Sequence, residues 1–514
     1  MRKLSSEVGR VTEIKQRKIV FEPTSEFDLD WGSLVFVNKN HGLLAFKVVE
    51  ICREKCEAEF CFRLGKNLSF QFNPEDLRIG DEISATSNFS VQEFDQQPHL
   101  KMFKLRGSNI TFPLKLESLL GRHFGIFGAT GSGKSWTLAR IIEECQKFDA
   151  KLILIDQSGE YSSLKNITSI SFFGEDFLVN LPFFHLKEED LFTLFAPDSG
   201  TQFMKLKLAL KSLKLAKLDP KLGAGGVIIK ANRDKREFEK SFRKFHEILE
   251  KDELDLEIQK LPIQLQNECV FPQQSASEPQ YWGGTNAAEL SEVAPLIGRI
   301  ESIIKDPDFA FIFNPDPDHV SLFDVLNAFF NKSHAKVLRI NISSLTDVYS
   351  MRAIVLNIIC RFLYFCARKK LFLNQPLAVL VDEAHNFFSE KALKNLTRFG
   401  FSSGEQIVKE ARKFSLVMGI ATQQPSEISA AMLSQLGSII LHRLSHKLDL
   451  ELVSNFLPPW ISSADIASLP TGSALLVTCD FDSPCFVDVV APSAPPRSLN
   501  PDFEKGWGLT KNSA

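Results

Sequence analysis

The stretch FGIFGATGSGKSWTLAR, Phe124 to Arg140, constrains this chain more than any other. An apolar strand runs into a glycine loop, and the loop opens a helix. GATGSGKS fits the phosphate-cradle pattern G-x-x-x-x-G-K-[ST] through Gly128, Gly133, Lys134 and Ser135, in the strand-to-helix setting that the chemistry requires. The glycines let successive backbone N–H groups turn onto phosphate oxygens, and the helix N-terminus adds positive partial charge. The candidate nucleotide-binding segment is therefore Gly128, Ala129, Thr130, Gly131, Ser132, Gly133, Lys134, Ser135 and Trp136. Lys134 is placed to reach the β- and γ-phosphates and Ser135 to ligate Mg²⁺, so ATP and Mg²⁺ are the expected ligands.

A second anchor is LAVLVDEAH, an apolar strand ending in Asp382 and Glu383. Two acids then emerge at the carboxyl edge of a buried sheet, where ligands bind. Asp382 suits the Mg²⁺-holding role, and Glu383 suits polarisation of an attacking water. That adjacent Glu separates the chain from nucleotide kinases, which transfer phosphate to a substrate other than water. In SLVMGIATQQPSEIS a strand ends at Thr422 and Gln423, and Gln423 is a candidate sensor of the terminal phosphate. Asp156 and Glu160, in ILIDQSGEY, stand beside the glycine loop to act around the metal site or to order a loop there, with turn-forming acids at a strand end as the competing reading. Arg122, Arg412 and Arg443 are the candidate guanidinium donors, since phosphoryl transfer builds charge that an arginine, often a neighbouring subunit's, neutralises.

Around these anchors the pattern divides the chain. Residues 1–107 alternate with period two and are punctuated by Gly, Asn, Asp and Pro, which predicts a small β-barrel for assembly or partner docking. Residues 108–180 and 311–491 alternate buried apolar strands with helices, the mark of a mainly parallel α/β sheet. Residues 181–310 interrupt that core as a helical insertion. It contains FMKLKLALKSLKLAKLDPK, whose lysines from Lys205 to Lys221 suggest either a solvated face or a grip on DNA, and a predicted charged helix, DKREFEKSFRKFHEILEKDELDLEIQK. Residues 492–514 read as a tail or arm.

Composition excludes little. A net charge of −3 means that nucleic-acid binding needs a local basic surface. Nine cysteines, with Cys52, Cys56 and Cys61 irregularly spaced, predict free thiols rather than disulfides or a zinc knuckle. No apolar run reaches the roughly 18–20 residues of a membrane span, and the first residues lack the apolar centre of a secretory signal. A cytoplasmic chain without a membrane partner is expected.

Taken together, HFGIFGATGSGKS, LIDQSGEY, VLVDEAH and EARKFSLVMGIATQQPSEISAAMLSQLGSIILHRL resemble the HerA-type DNA translocases, relatives of the FtsK-like P-loop motors. The resemblance covers about 114–175 and 335–480. It implies a RecA-like ATPase core, a barrel before it, and a homo-hexameric ring with double-stranded DNA in the pore and ATP at the seams. It implies that Gln423 is the sensor and that Arg122 and Arg412 are interface arginines, with Arg443 the weakest candidate. It further implies a separately encoded nuclease or other effector docked on the barrels, in DNA end processing or anti-phage defence. A nucleotide-gated scaffold with little translocation shares every ATP-site residue and stands as the alternative. The sequence departs from the family in IDQSGEY, where a Pro-His pair is often found, and at Ala411, where a Gly is common.

Overall fold

The computed structural model describes residues 6–497 except for 16–17, 25–28, 30–33, 40–41, 53–54, 65–67, 70–72, 86–98, 107–110, 224, 252–253, 255, 332–333, 393–401, 460 and 479–483. The first seven strands are β1 (Ser6–Lys15), β2 (Lys18–Pro23), β3 (Leu34–Lys39), β4 (Gly42–Cys52), β5 (Lys55–Leu64), β6 (Leu68–Ser69) and β7 (Glu82–Ala85). Their order is β2-β1-β7-β3-β4-β5-β6, and β2 also pairs with β5. That extra pairing closes the sheet into a barrel and removes its edges. Val8, Phe21, Val35, Phe46 and Val48 fill the inside.

The larger sheet comprises β8 (His99–Leu105), β9 (Thr111–Lys115), β10 (His123–Phe127), β11 (Lys151–Asp156), β12 (Thr168–Ser171), β13 (Phe177–Asn180), β14 (Val320–Ser321), β15 (Val337–Asn341), β16 (Leu377–Val381), β17 (Leu416–Thr422), β18 (Leu436–Leu441), β19 (Ser473–Thr478) and β20 (Cys485–Val489). The order is β14-β13-β12-β15-β11-β16-β17-β10-β18-β19-β20-β8-β9. Pairings are parallel from β14 to β18 and antiparallel from there to β9. The central strands are mostly apolar because helices cover both faces. Phe127, Ile153 and Ile155 enter one core, while Phe124, Ile126, Leu152 and Leu154 enter the other, as alternation along a strand demands.

Five features differ from the sequence reading. The hairpin β8–β9 joins the large sheet through β20 rather than the barrel, so residues 99–105 and 111–115 extend the core. Alternation alone carries no information on which sheet a strand joins. One helix, Met351–Arg368, extended by the turn from Val348, is long and apolar enough to cross a membrane, and 67% of the qualifying stretch is buried. It is apolar because it packs against the sheet, and its three interspersed polar residues hid the run.

The predicted charged helix, residues 234–260, is broken into Lys235–Lys244, His246–Leu249 and a single turn at Ile258–Lys260. The lysines of the Gly200–Leu218 helix are largely spent inside the insertion. Lys205 pairs with Glu289, Lys211 with Glu250, and the buried Lys214 with Glu188. Those three are not free to form a solvated face or a cationic ladder. Within the tail, Ser493 Oγ and the Ala494 amide both donate to Glu143, so residues 493–497 lie against the core; residues 498–514 lie outside the described residues.

Candidate functional site

Strand order brings together what the sequence separates. The phosphate loop leaves β10, Thr422 and Gln423 leave β17 beside it, Asp382 and Glu383 leave β16 next, and Asp156 leaves β11 beyond. In register, Phe127 is level with Thr422 and Leu441, and Ile155 with Val381, so all these ends share one edge.

The loop is braced before any ligand arrives. The Gly128 amide donates to Thr422 O at 3.2 Å and the Ala129 amide to Arg443 O at 2.8 Å, while Gly472 donates to Ser132 O at 3.0 Å. His442 lies beneath the loop. A side chain at Gly128 would come within 2.6 Å of His442 Cβ and 2.5 Å of Ser132 Oγ, which is why only glycine fits. Gly131 and Gly133 take φ of +70° and +118°, the left-handed turn that aims amides inward. The helix Lys134–Cys145 starts at this point, and its first-turn amides have no partner within the helix.

His442 itself is fully buried. Its Nδ1 is 2.9 Å from Ser473 O and its Nε2 2.8 Å from Thr137 Oγ1. A carbonyl only accepts, so Nδ1 carries the proton and donates. Burial, aided by the charge of Lys134, holds this imidazole down at about 4.

Lys134 is 6% exposed. Burial lowers its pKa, while Glu383, Asp382 and Glu160 raise it. Asp382 is 3% exposed, and burial, then the charges of Glu383 and Asp156, push it up to about 8. In the absence of a cation this carboxyl keeps its proton near neutrality. Ser158 Oγ lies 3.3 Å from Asp382 Oδ2 and 3.3 Å from Asp156 Oδ1.

Glu383 has φ +46°. Its Oε1 accepts from Gln423 Nε2, and Gln423 Oε1 in turn accepts from the Thr130 hydroxyl. Its Oε2 is buried without a hydrogen bond, 3.5 Å from His385 Nδ1. Glu160 is raised chiefly by burial, an effect offset by a hydrogen bond with Ser135.

Asp156 orders a loop, and through Ser158 it also adjoins Asp382. It is fully buried, pairs with Arg339 Nε at 2.7 Å, and accepts from the amides of Gly159 and Tyr161 at 2.7 and 3.3 Å. Trp136 is 46% exposed on the first turn of the helix.

The arginines divide. Arg443 sits at the loop edge and contributes its carbonyl to Ala129. Arg122 and Arg412 lie at the opposite edge, at the amino ends of β10 and β17. They line a groove of about 610 Å³ with His123, Lys409, Lys413 and Gln435, and Arg412 Nε donates to Gly121 O at 3.1 Å. A strand of five residues, roughly 16 Å of chain, separates them from the loop. They do not complete the site of their own protomer.

The donor set fits a polyphosphate and a divalent cation. An open glycine cradle, a buried ammonium, a serine hydroxyl and buried acids converge, and Ser132 Oγ and Glu383 Oε2 are polar atoms without partners. Among the described residues no cluster of three or more His, Cys, Asp or Glu could hold a metal unaided. A cation here would take Ser135 and Asp382 together with phosphate oxygens and water, the usual Mg²⁺ arrangement.

Residues 102–351 match the family model described as "Helicase HerA, central domain". The core of the chain is similar to that of the HerA helicases. It is 22% identical over 457 residues to the DNA double-strand break repair helicase HerA of Sulfolobus acidocaldarius, covering 86% of this chain and 80% of that protein. It is 24% identical over 444 residues to the HerA of Sulfurisphaera tokodaii, covering 84% and 77%. Among solved structures, VirB4 of Thermoanaerobacter pseudethanolicus aligns with a TM-score of 0.48 at 13% identity over 77% of this chain and 97% of that one. The plasmid coupling protein TrwB in complex with ADP and Mg²⁺ aligns at 0.46 and 14% identity, over 78% and 92%.

Sequence reasoning missed two supports of this site. Arg339 was legible as a charge inside the apolar run VLRIN, a placement that nearly always means a buried pair. His442 stood inside ILHRL, one residue from an arginine that was singled out; only the fold shows that β18 passes under the loop.

Proposed function

We propose that this chain is an ATP-hydrolysing ring motor that moves double-stranded DNA, built as a homo-hexamer with ATP and Mg²⁺ at each seam. The observation that carries this reading is the split of the charged groups. Loop, Lys134, Asp382 and Glu383 share one edge of the sheet, while Arg122 and Arg412 lie at the other. A guanidinium from a second copy completes the site, and hydrolysis then depends on assembly. The DNA substrate is inferred from the HerA helicases that the chain is similar to.

In this mechanism the loop amides and Lys134 bind the phosphates. Ser135 and Asp382 would hold Mg²⁺, which would supply charge neutralisation for the phosphates. Glu383 takes the proton of the attacking water on Oε2, the oxygen left without a partner. Gln423, between the loop tip and Glu383, passes the state of the site to β17. The barrel, without a metal-binding cluster among its described residues, is proposed to dock a separately encoded nuclease or other effector.

The test is complementation. Lys134→Ala and Arg412→Ala subunits, each inactive alone, should regain activity when mixed, because random mixing leaves roughly a quarter of seams with both an intact loop and an intact arginine. Mixtures that stay dead, with rings still forming, would overturn the seam. Duplex DNA should stimulate the ATPase. Effector activity that survives Glu383→Gln in the assembled ring would favour the scaffold instead.

A further inference from the structure

We propose that Thr130 is a positioning residue for Glu383: acting through the Gln423 amide, its hydroxyl holds the carboxylate that activates water, coupling the tip of the phosphate loop to the general base. This inference rests on the assignment of Glu383 as that base.

The direction of the chain follows from donor chemistry. An ionised carboxylate only accepts, so Gln423 must present Nε2 to Glu383 Oε1. That orientation leaves Gln423 Oε1 as an acceptor, and the Thr130 hydroxyl is the donor that meets it. The reverse amide orientation would set two acceptors face to face at Glu383. Three side chains from three segments therefore form one ordered relay, Thr130 to Gln423 to Glu383.

Two further observations give the relay a task. Glu383 holds φ +46°, a left-handed conformation that costs a non-glycine residue on the order of 1 kcal/mol and persists only where its surroundings enforce it. Its backbone is fixed by Ala384 N donating to Ala421 O at 2.8 Å and Asn386 N donating to Glu383 O at 3.1 Å. The carboxylate, by contrast, is hydrogen-bonded at Oε1 alone, since Oε2 is bare and His385 Nδ1 lies closer to Thr422 Oγ1, at 3.1 Å, than to Oε2. The other end of the relay is exposed. Thr130 lies at the loop tip beside Gly131, around which a side chain would meet nothing within 4 Å. A shift of the tip as phosphates enter is thus passed through two hydrogen bonds to the carboxylate.

The experiment uses the full chain with Thr130→Val, which keeps the shape and removes the donor, Thr130→Ser, which keeps the donor, and Gln423→Met. Thr130→Val should lower kcat about tenfold while the dissociation constant of a fluorescent ATP analogue changes less than about twofold, and Thr130→Ser should restore most of the rate. Thr130→Val combined with Gln423→Met should be no slower than Gln423→Met alone, because both break one relay. The nucleotide-free proteins should show the same non-additivity in thermal midpoint. If Thr130→Val weakens nucleotide binding at unchanged kcat, Thr130 is a phosphate contact and the relay is wrong. If the two losses multiply, the residues act independently and the relay is equally wrong. Full turnover in Glu383→Gln would instead remove the base assignment beneath the proposal.

Discussion

Arg339 stands inside β15 with its guanidinium divided between Asp156 and Asp176. Asp156 orders the turn that carries Ser158 and Glu160, so the arginine sets the outer wall of the site without touching it. Removing one member of a buried pair leaves an uncompensated charge, which costs about 3–5 kcal/mol. Arg339→Met should therefore lower the thermal midpoint sharply, and Asp156→Asn in the same background should recover part of the loss. No recovery would mean that the pair is not the source of the effect.

A second residue-scale consequence concerns acid. Burial holds His442 and His123 at about 4 in the fold, against about 6.5 in an unfolded chain. Between those values the unfolded state binds more protons, so stability is complete above about pH 6.5 and is lost as pH falls toward 4. His442→Asn should make the fall in thermal midpoint from pH 7 to pH 5 shallower; an unchanged slope would place the proton uptake elsewhere. The groups with a local signature, the loop glycines, Lys134, Ser135 and the acid pair, were legible in the sequence. Arg339 and His442 act across strands, and their partners are fixed by topology, which a linear pattern does not encode.

At the level of elements, the parallel strands and their helices were readable because strands covered on both faces must be apolar throughout. Their order was not. β17 carries Gln423 between the loop strand and the acid strand, although it follows both in the chain. The lysine-bearing helix Gly200–Leu218 shows the converse failure, because a lysine every few residues looks the same whether it faces solvent, DNA or a glutamate. Here Lys214 is buried against Glu188 and the Lys251 carbonyl. Lys214→Met should cost roughly 1–3 kcal/mol of stability and leave the salt dependence of DNA binding unchanged, since a phosphate contact would reduce that slope by about one unit. A shallower slope would return this helix to the DNA-binding surface.

For the whole molecule, the proposed seam, drawn from the separation of Arg122 and Arg412 from the phosphate loop, would make nucleotide a ligand of two subunits at once. Anything that binds the assembled state better than the free subunit pulls the equilibrium toward assembly. A non-hydrolysable ATP analogue with Mg²⁺ should therefore raise the population of rings at a given protein concentration, and turnover per subunit should rise with concentration to a plateau. Lys134→Ala should abolish the analogue's effect by losing the phosphates on one side of the seam. Arg412→Ala should abolish it while leaving analogue binding by the isolated subunit within about twofold, because the arginine belongs to the other side. Native mass measurement over a concentration series reads both variants directly. Analogue-driven assembly that survives Arg412→Ala at full strength would show that the arginine groove does not face the nucleotide, and the seam would have to be drawn on another surface.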